Sequence, residues 1–110
     1  QLGRMLAMAA ARLGLKSHIY CPEENSPAFQ VADQYTVGAY DDMEALDLFG
    51  KQVDVVTYEF ENVPADTAAR LEVRAPLRPG SRALQISQDR LDEKNFLTIM
   101  YIKLNILPLV

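Results

Sequence analysis

The chain contains one cysteine, Cys21, and one histidine, His18, among its 110 residues. A single thiol closes no internal disulfide, and with a single imidazole it falls short of a structural zinc site. A lone histidine also gives no basis for a Ser-His-Asp triad. Positive charge is scarce: 11 basic residues face 15 acidic ones, a formal net charge of −4. That balance argues against a nucleic-acid partner, which needs a concentrated basic surface. Long apolar runs are missing too, and no segment is long enough to cross a bilayer as a helix. What remains is ordinary globular composition, 49% hydrophobic and 24% charged, enough for one small domain or part of one. The low thiol content makes a reducing, cytoplasmic setting the expectation. Gln1 is not a start methionine and no signal or transit pattern precedes the first apolar segment, so the sequence reads as beginning inside a longer chain.

Helical spacing opens the chain. Leu2, Met5, Leu6, Ala9 and Leu13 recur at three- and four-residue intervals, and Gly14 follows where a left-handed cap would sit. His18 to Cys21 reads as a strand ended by Pro22. Ala28 to Ala32 suits one or two helical turns after Pro27, and Tyr35 to Val37 is a weak second strand. Asp41-Asp42-Met43-Glu44 predicts a helix start with a capping acid and Glu44 three residues on. Met43, Leu46 and Phe49 would face inward and Gly50 would close this helix. Val53 to Tyr58 is the strongest strand signal, continuous enough for an interior strand covered on both faces. Pro64 suits a first helical turn, and that helix should run to about Val73. Arg78-Pro79-Gly80 is a turn, Ser81 a cap, and Ala83 to Met100 one bent helix or two short ones. This alternation predicts an α/β domain with a parallel sheet and flanking helices. A doubly wound domain usually begins with a strand, and none precedes the helix at Gln1.

Three segments could carry chemistry. Gln1-Leu2-Gly3-Arg4-Met5 lies at a helix N-terminus, whose unpaired amides and partial positive charge favour anions; a plain amphipathic helix is the other reading. Thr57-Tyr58-Glu59-Phe60-Glu61-Asn62 lies past the end of the most apolar strand, where open α/β sheets bind ligands. Its two carboxylates would point the same way in extended chain and could hold amines or hydroxyls; a solvated loop with Asn62 as helix cap is equally open. In Gln88-Asp89-Arg90-Leu91-Asp92-Glu93-Lys94, Arg90 and Lys94 share a helix face and could meet a phosphate, or could simply be solvated. Cys21 reads as a small buried hydrophobe and His18 as structural.

These strings, with Asn25-Ser26-Pro27-Ala28 and Val31-Ala32-Asp33 between them, occur in the order found in one family. The sequence from Gln1 to about Leu97 resembles the amino-terminal part of the 5-(carboxyamino)imidazole ribonucleotide synthetases of the ATP-grasp superfamily. Tyr58-Glu59-Phe60-Glu61-Asn62 is the most discriminating element. The resemblance implies a Rossmann-like, pre-ATP-grasp α/β fold whose first strand is missing from this chain. It implies a substrate-binding unit over 1–80 and a helical connection over 81–110 towards an ATP-grasp domain. The implied reaction carboxylates 5-aminoimidazole ribonucleotide with bicarbonate at the expense of ATP, through carboxyphosphate and with magnesium, in a homodimeric enzyme. Gln1, Leu2 and Glu59 would contact the aminoimidazole nucleotide, with Glu61 and Asn62 shaping the loop and Arg90 approaching ATP. No magnesium ligand maps onto the chain, which alone should be inert. The alternatives are another ATP-grasp enzyme, such as an ATP-dependent glycinamide ribonucleotide transformylase, or a non-catalytic dinucleotide-binding module. Against the last, Cys21 stands where such modules carry an acid.

Overall fold

The computed structural model describes residues 1–59 and 63–89. Along the chain come α1 (Leu2–Arg12), β1 (His18–Cys21), a 3-10 turn (Pro27–Gln30), β2 (Gln34–Val37), α2 (Met43–Gln52), α3 (Ala65–Glu72) and α4 (Ser81–Gln88). The expected α/β class is what forms. β1 and β2 pair in parallel, with His18 opposite Gln34 and Cys21 opposite Val37. Parallel strands need a crossover rather than a hairpin, and residues 22–33 supply it with the 3-10 turn at their centre.

Local chemistry sets the helix ends. After α1, Gly14 takes φ +76, its amide bonds to Ala11 and the Leu15 amide reaches back to Ala10. This is a Schellman ending, which asks for glycine at that position. At α2 the cap is Asp42, whose side chain accepts from the Ala45 amide at 3.0 Å, one residue later than the Asp41–Glu44 spacing implied. Nor does Gly50 close α2: it lies inside the helix, where a Cβ would come within 2.7 Å of the Arg74 Cβ. Glycine there serves close packing of α2 against the end of α3. α4 begins at Ser81 itself, and its cap comes from a distance: Glu72, the last residue of α3, accepts from the Ser81 amide and hydroxyl. A carboxylate at that position also suits the positive end of the helix.

The core gathers Leu46 and Phe49 of α2, Val56, Ala68 and Leu71 of α3, Ala75, Leu77 and Leu84 of α4. Leu46, Leu77 and Leu84 are fully enclosed, each worth about 1.5–3 kcal/mol by burial. Asp47 ties α2 to α3 by accepting paired bonds from Arg70 (2.8 and 2.6 Å) and Arg74 (3.2 and 3.0 Å).

Two burial readings made from the sequence are corrected, and the outer face of α1 is notable beside them. Val53 to Tyr58 is not a covered interior strand. It contributes one parallel bridge, Val56 to Leu77, with Val56 buried and Val55 58% exposed. A strand is made by its partners, and this segment meets only the Pro76–Arg78 stretch among the described residues. Met43 is exposed, leaving Leu46, Phe49 and Gly50 as the buried residues of α2. On α1 the apolar stripe faces outward, with Met5 64% and Leu13 78% exposed, and Ala7 alone is buried. α1 instead packs on the 3-10 turn, and its Arg4 donates to Gln30 at 2.8 Å.

Candidate functional site

The candidate site is built around the N-terminus of α1. The first intrahelical bond of α1 runs from the Met5 amide to the Gln1 carbonyl at 3.1 Å. The amides of Leu2, Gly3 and Arg4 therefore precede any helical acceptor. Glu59 stands against this turn: a Cβ on Gly3 would lie 3.3 and 3.6 Å from its two carboxylate oxygens and 3.4 Å from the Ala28 Cβ. A side chain at Gly3 would crowd this carboxylate by a few tenths of an ångström. Of the two site positions expected on α1, Gln1 and Leu2, both are exposed. Tyr58 takes a different course from its neighbour, packing on the core and donating to the Gly80 carbonyl at 3.3 Å. Phe60, Glu61, Asn62, Arg90 and Lys94 lie outside the described residues.

The segment after β2 is closely anchored. The Gly38 amide bonds to the Cys21 carbonyl at 3.1 Å, extending the ladder past the last strand pair. Tyr20 then donates to the Ala39 carbonyl at 2.6 Å, and a Cβ at Gly38 would collide with the Tyr20 phenol. From below, the Thr67 hydroxyl of α3 donates to the Tyr40 carbonyl at 2.6 Å. Thr67 is 2% exposed, a buried polar group fully engaged in fixing this loop. The rings of Tyr20 and Tyr40 lie 6.4 Å apart.

Electrostatics follow from this crowding. Burial, and then the charges of Cys21, Glu59 and Glu23, hold the Tyr40 phenol protonated above the usual tyrosine range. Burial and the nearby Asp42 and Asp41 do the same for Tyr20. Both rings thus remain neutral groups able to donate and accept. His18 lies elsewhere, edge-on to Phe49 at 4.9 Å with Nε2 2.8 Å from the Thr36 hydroxyl, and burial lowers its pKa. Among the described residues no three His, Cys, Asp or Glu side chains gather as a cation would need, and none is assigned to magnesium. No described helix is long and apolar enough to cross a membrane.

Sequence reasoning singled out Glu59 and the α1 terminus and did not single out Tyr20, Gly38, Tyr40 and Thr67, which the structure ties into one hydrogen-bonded loop. The available signal was an aromatic at the end of β1 and a Gly-Ala-Tyr string directly after β2, at the edge where such sheets bind ligands.

The model of the ribonucleotide synthetase preATP-grasp domain matches residues 1–88. The chain belongs to that family. The chain is 54% identical over 97 residues to the N5-carboxyaminoimidazole ribonucleotide synthase of Brucella melitensis, a match covering 88% of this chain and 27% of that protein. It superposes on the N5-carboxyaminoimidazole ribonucleotide synthetase of Thermus thermophilus with a TM-score of 0.83 and 47% identity, over 88% of this chain and 27% of that one. It is also similar to the N5-carboxyaminoimidazole synthase of Aspergillus clavatus, solved in complex with ADP and 5-aminoimidazole ribonucleotide. There the TM-score is 0.79 and the identity 30%, over 91% of this chain and 27% of that one. The preATP-grasp domain thus spans little more than a quarter of the length of these relatives.

Proposed function

We propose that the preATP-grasp domain forms one wall of the 5-aminoimidazole ribonucleotide pocket in an ATP-dependent ligase of purine biosynthesis. The observation that carries this reading is the Glu59 carboxylate lying against the first turn of α1. A carboxylate only accepts hydrogen bonds and free backbone amides only donate. A ligand offering both an amine and a ring-nitrogen acceptor, as an aminoimidazole does, answers that pair. Glu59 would take the amine hydrogens, while Gln1 and Leu2 frame the nucleotide at the helix end. Holding the amine in one orientation is an entropic contribution to carboxylation. The aminoimidazole nucleotide complex of the Aspergillus relative supports the same substrate.

In this reading ATP, with magnesium, supplies the phosphoryl group that activates bicarbonate, and both are held by parts of the protein other than this domain. Residues 1–80 are the substrate-binding unit and the segment from 81 leads towards the nucleotide-binding parts, with Arg90 approaching ATP. The domain by itself binds and does not turn over. The whole enzyme is taken to be cytoplasmic and homodimeric.

The test is Glu59→Gln in the full-length protein. Loss of a charge-assisted hydrogen bond, about 1.5–3 kcal/mol, raises KM for 5-aminoimidazole ribonucleotide roughly 10- to 100-fold and leaves KM for ATP alone. Unaltered KM and kcat would remove Glu59 from the pocket.

A further inference from the structure

We propose that Gly3 is a positioning residue: its bare α-carbon sets where the Glu59 carboxylate lies, and through that carboxylate it tunes affinity for the ligand amine. The proposal rests on the functional reading above and adds to it the residue that places its acceptor.

Gly3 stands in the first turn of α1 with no conformational reason to be glycine. It lies inside the helix and does not take a positive φ, so its backbone would accept any ordinary residue. Glycine within a helix is less favourable than alanine, because it gives up more chain freedom on ordering. What glycine supplies here is space. A Cβ at this position would lie 3.3 Å from Glu59 Oε1, 3.6 Å from Oε2 and 3.4 Å from the Ala28 Cβ.

These two neighbours respond differently to crowding. Ala28 is buried in the 3-10 turn. Its carbonyl accepts from the Val31 and Ala32 amides at 3.2 and 3.1 Å, and the Phe29 amide bonds to Ser26 at 3.0 Å. Arg4, the residue after Gly3, holds Gln30 at the end of the same turn. That side has no room to retreat. Glu59 is exposed, and among the described residues its carboxylate accepts no hydrogen bond and joins no ion pair. Its closest approach to the helix is set by the bare face of Gly3. A methyl group there would leave Ala28 in place and move the carboxylate outward by a few tenths of an ångström. Hydrogen bonds weaken with distance and misalignment, so the displaced acceptor holds an amine less well while the fold keeps its contacts.

The experiment uses Gly3→Ala, Glu59→Ala and the double variant in the full-length protein. It measures KM for 5-aminoimidazole ribonucleotide, KM for ATP and the thermal midpoint. Gly3→Ala is expected to raise KM for the aminoimidazole nucleotide roughly three- to tenfold, part of the ~100-fold that a 1 Å misplacement costs. KM for ATP stays unmoved, and the midpoint stays level or rises with the better helix former. In the Glu59→Ala background the same substitution has no further effect on KM, because no carboxylate is left to displace. An equal rise in both backgrounds would mean that position 3 acts without Glu59, and overturns the proposal. If Glu59→Ala raises that KM and Gly3→Ala does not, the positioning role is wrong and the pocket stands. If neither variant moves it, both readings fall. If Gly3→Ala raises both KM values and lowers the midpoint, Gly3 serves the fold alone, and the proposal is overturned.

Discussion

The two halves of the domain are built differently. In the helical half, α2, α3 and α4 close over Leu46, Leu77 and Leu84, and the Asp47 fork staples α2 to α3. In the sheet half, α1 leaves its apolar stripe outside, and order comes from polar anchors: Tyr20 on Ala39, Thr67 on Tyr40, Arg4 on Gln30. Stability is concentrated in the first half and the candidate ligand edge in the second. A hydrophobic core resists change of any kind, whereas hydrogen-bonded loops hold a few groups in place while leaving their neighbours open to a ligand.

The contrast breaks first where it is strongest. Leu84→Ala should lower unfolding free energy in urea by about 2–5 kcal/mol, because it empties a fully enclosed site, whereas Met5→Ala on α1 should stay within about 0.5 kcal/mol. Equal losses would mean that α1 bears as much of the core as α4 does. Next in size is Gly38→Ala, which pushes the Tyr20 phenol off Ala39. An overpacking cost of about 1–3 kcal/mol is expected, and the amides of residues 38–40 should exchange with solvent faster while those of α3 and α4 keep their protection. Uniform loss of protection across the domain would show that the halves are not separable.

Acid sharpens the comparison with smaller effects. In the sheet half, burial lowers the His18 pKa below its ordinary 6.5. The unfolded chain then takes up a proton that the folded chain resists, so stability falls as pH drops through that value and levels off once the folded imidazole titrates. His18→Gln should flatten this window. In the helical half, hydrogen bonds from Arg74 and Arg70 hold the Asp47 carboxyl well below its ordinary 3.8. Its contribution is complete above that value and is lost as pH falls towards the depressed one. Urea midpoints across a pH series should therefore show two steps, the upper removed by His18→Gln and the lower by Asp47→Asn. A single step insensitive to His18→Gln would place the imidazole in solvent.

Much of the fold was readable because local rules governed it. The ends of α1, the Pro64 entry to α3 and the apolar β1 follow from spacing, glycine and proline, which act over a turn or two of chain. Apart from the one-residue shift of the α2 cap, the readings that failed concern partners far away in sequence. Val53–Tyr58 has strand composition, yet among the described residues only Leu77 pairs with it; Ser81 looks like a cap, yet Glu72 supplies one. The candidate site divides in the same way. Glu59 and the α1 terminus stand in recognisable strings, while Tyr20, Gly38, Tyr40 and Thr67 become a unit only because β1, the loop after β2 and α3 converge.

By itself, then, the sequence determined the α/β class, the ends of α1 and α3 to within a residue or two, and the family to which the chain belongs. Only the tertiary structure decided which apolar faces turn inward, which strand finds a partner, and that a buried threonine on α3 holds the Tyr40 carbonyl. The reason is the range of the forces. Backbone propensity and capping are settled between neighbours, whereas burial and long-range hydrogen bonds depend on what the rest of the chain brings to the same place.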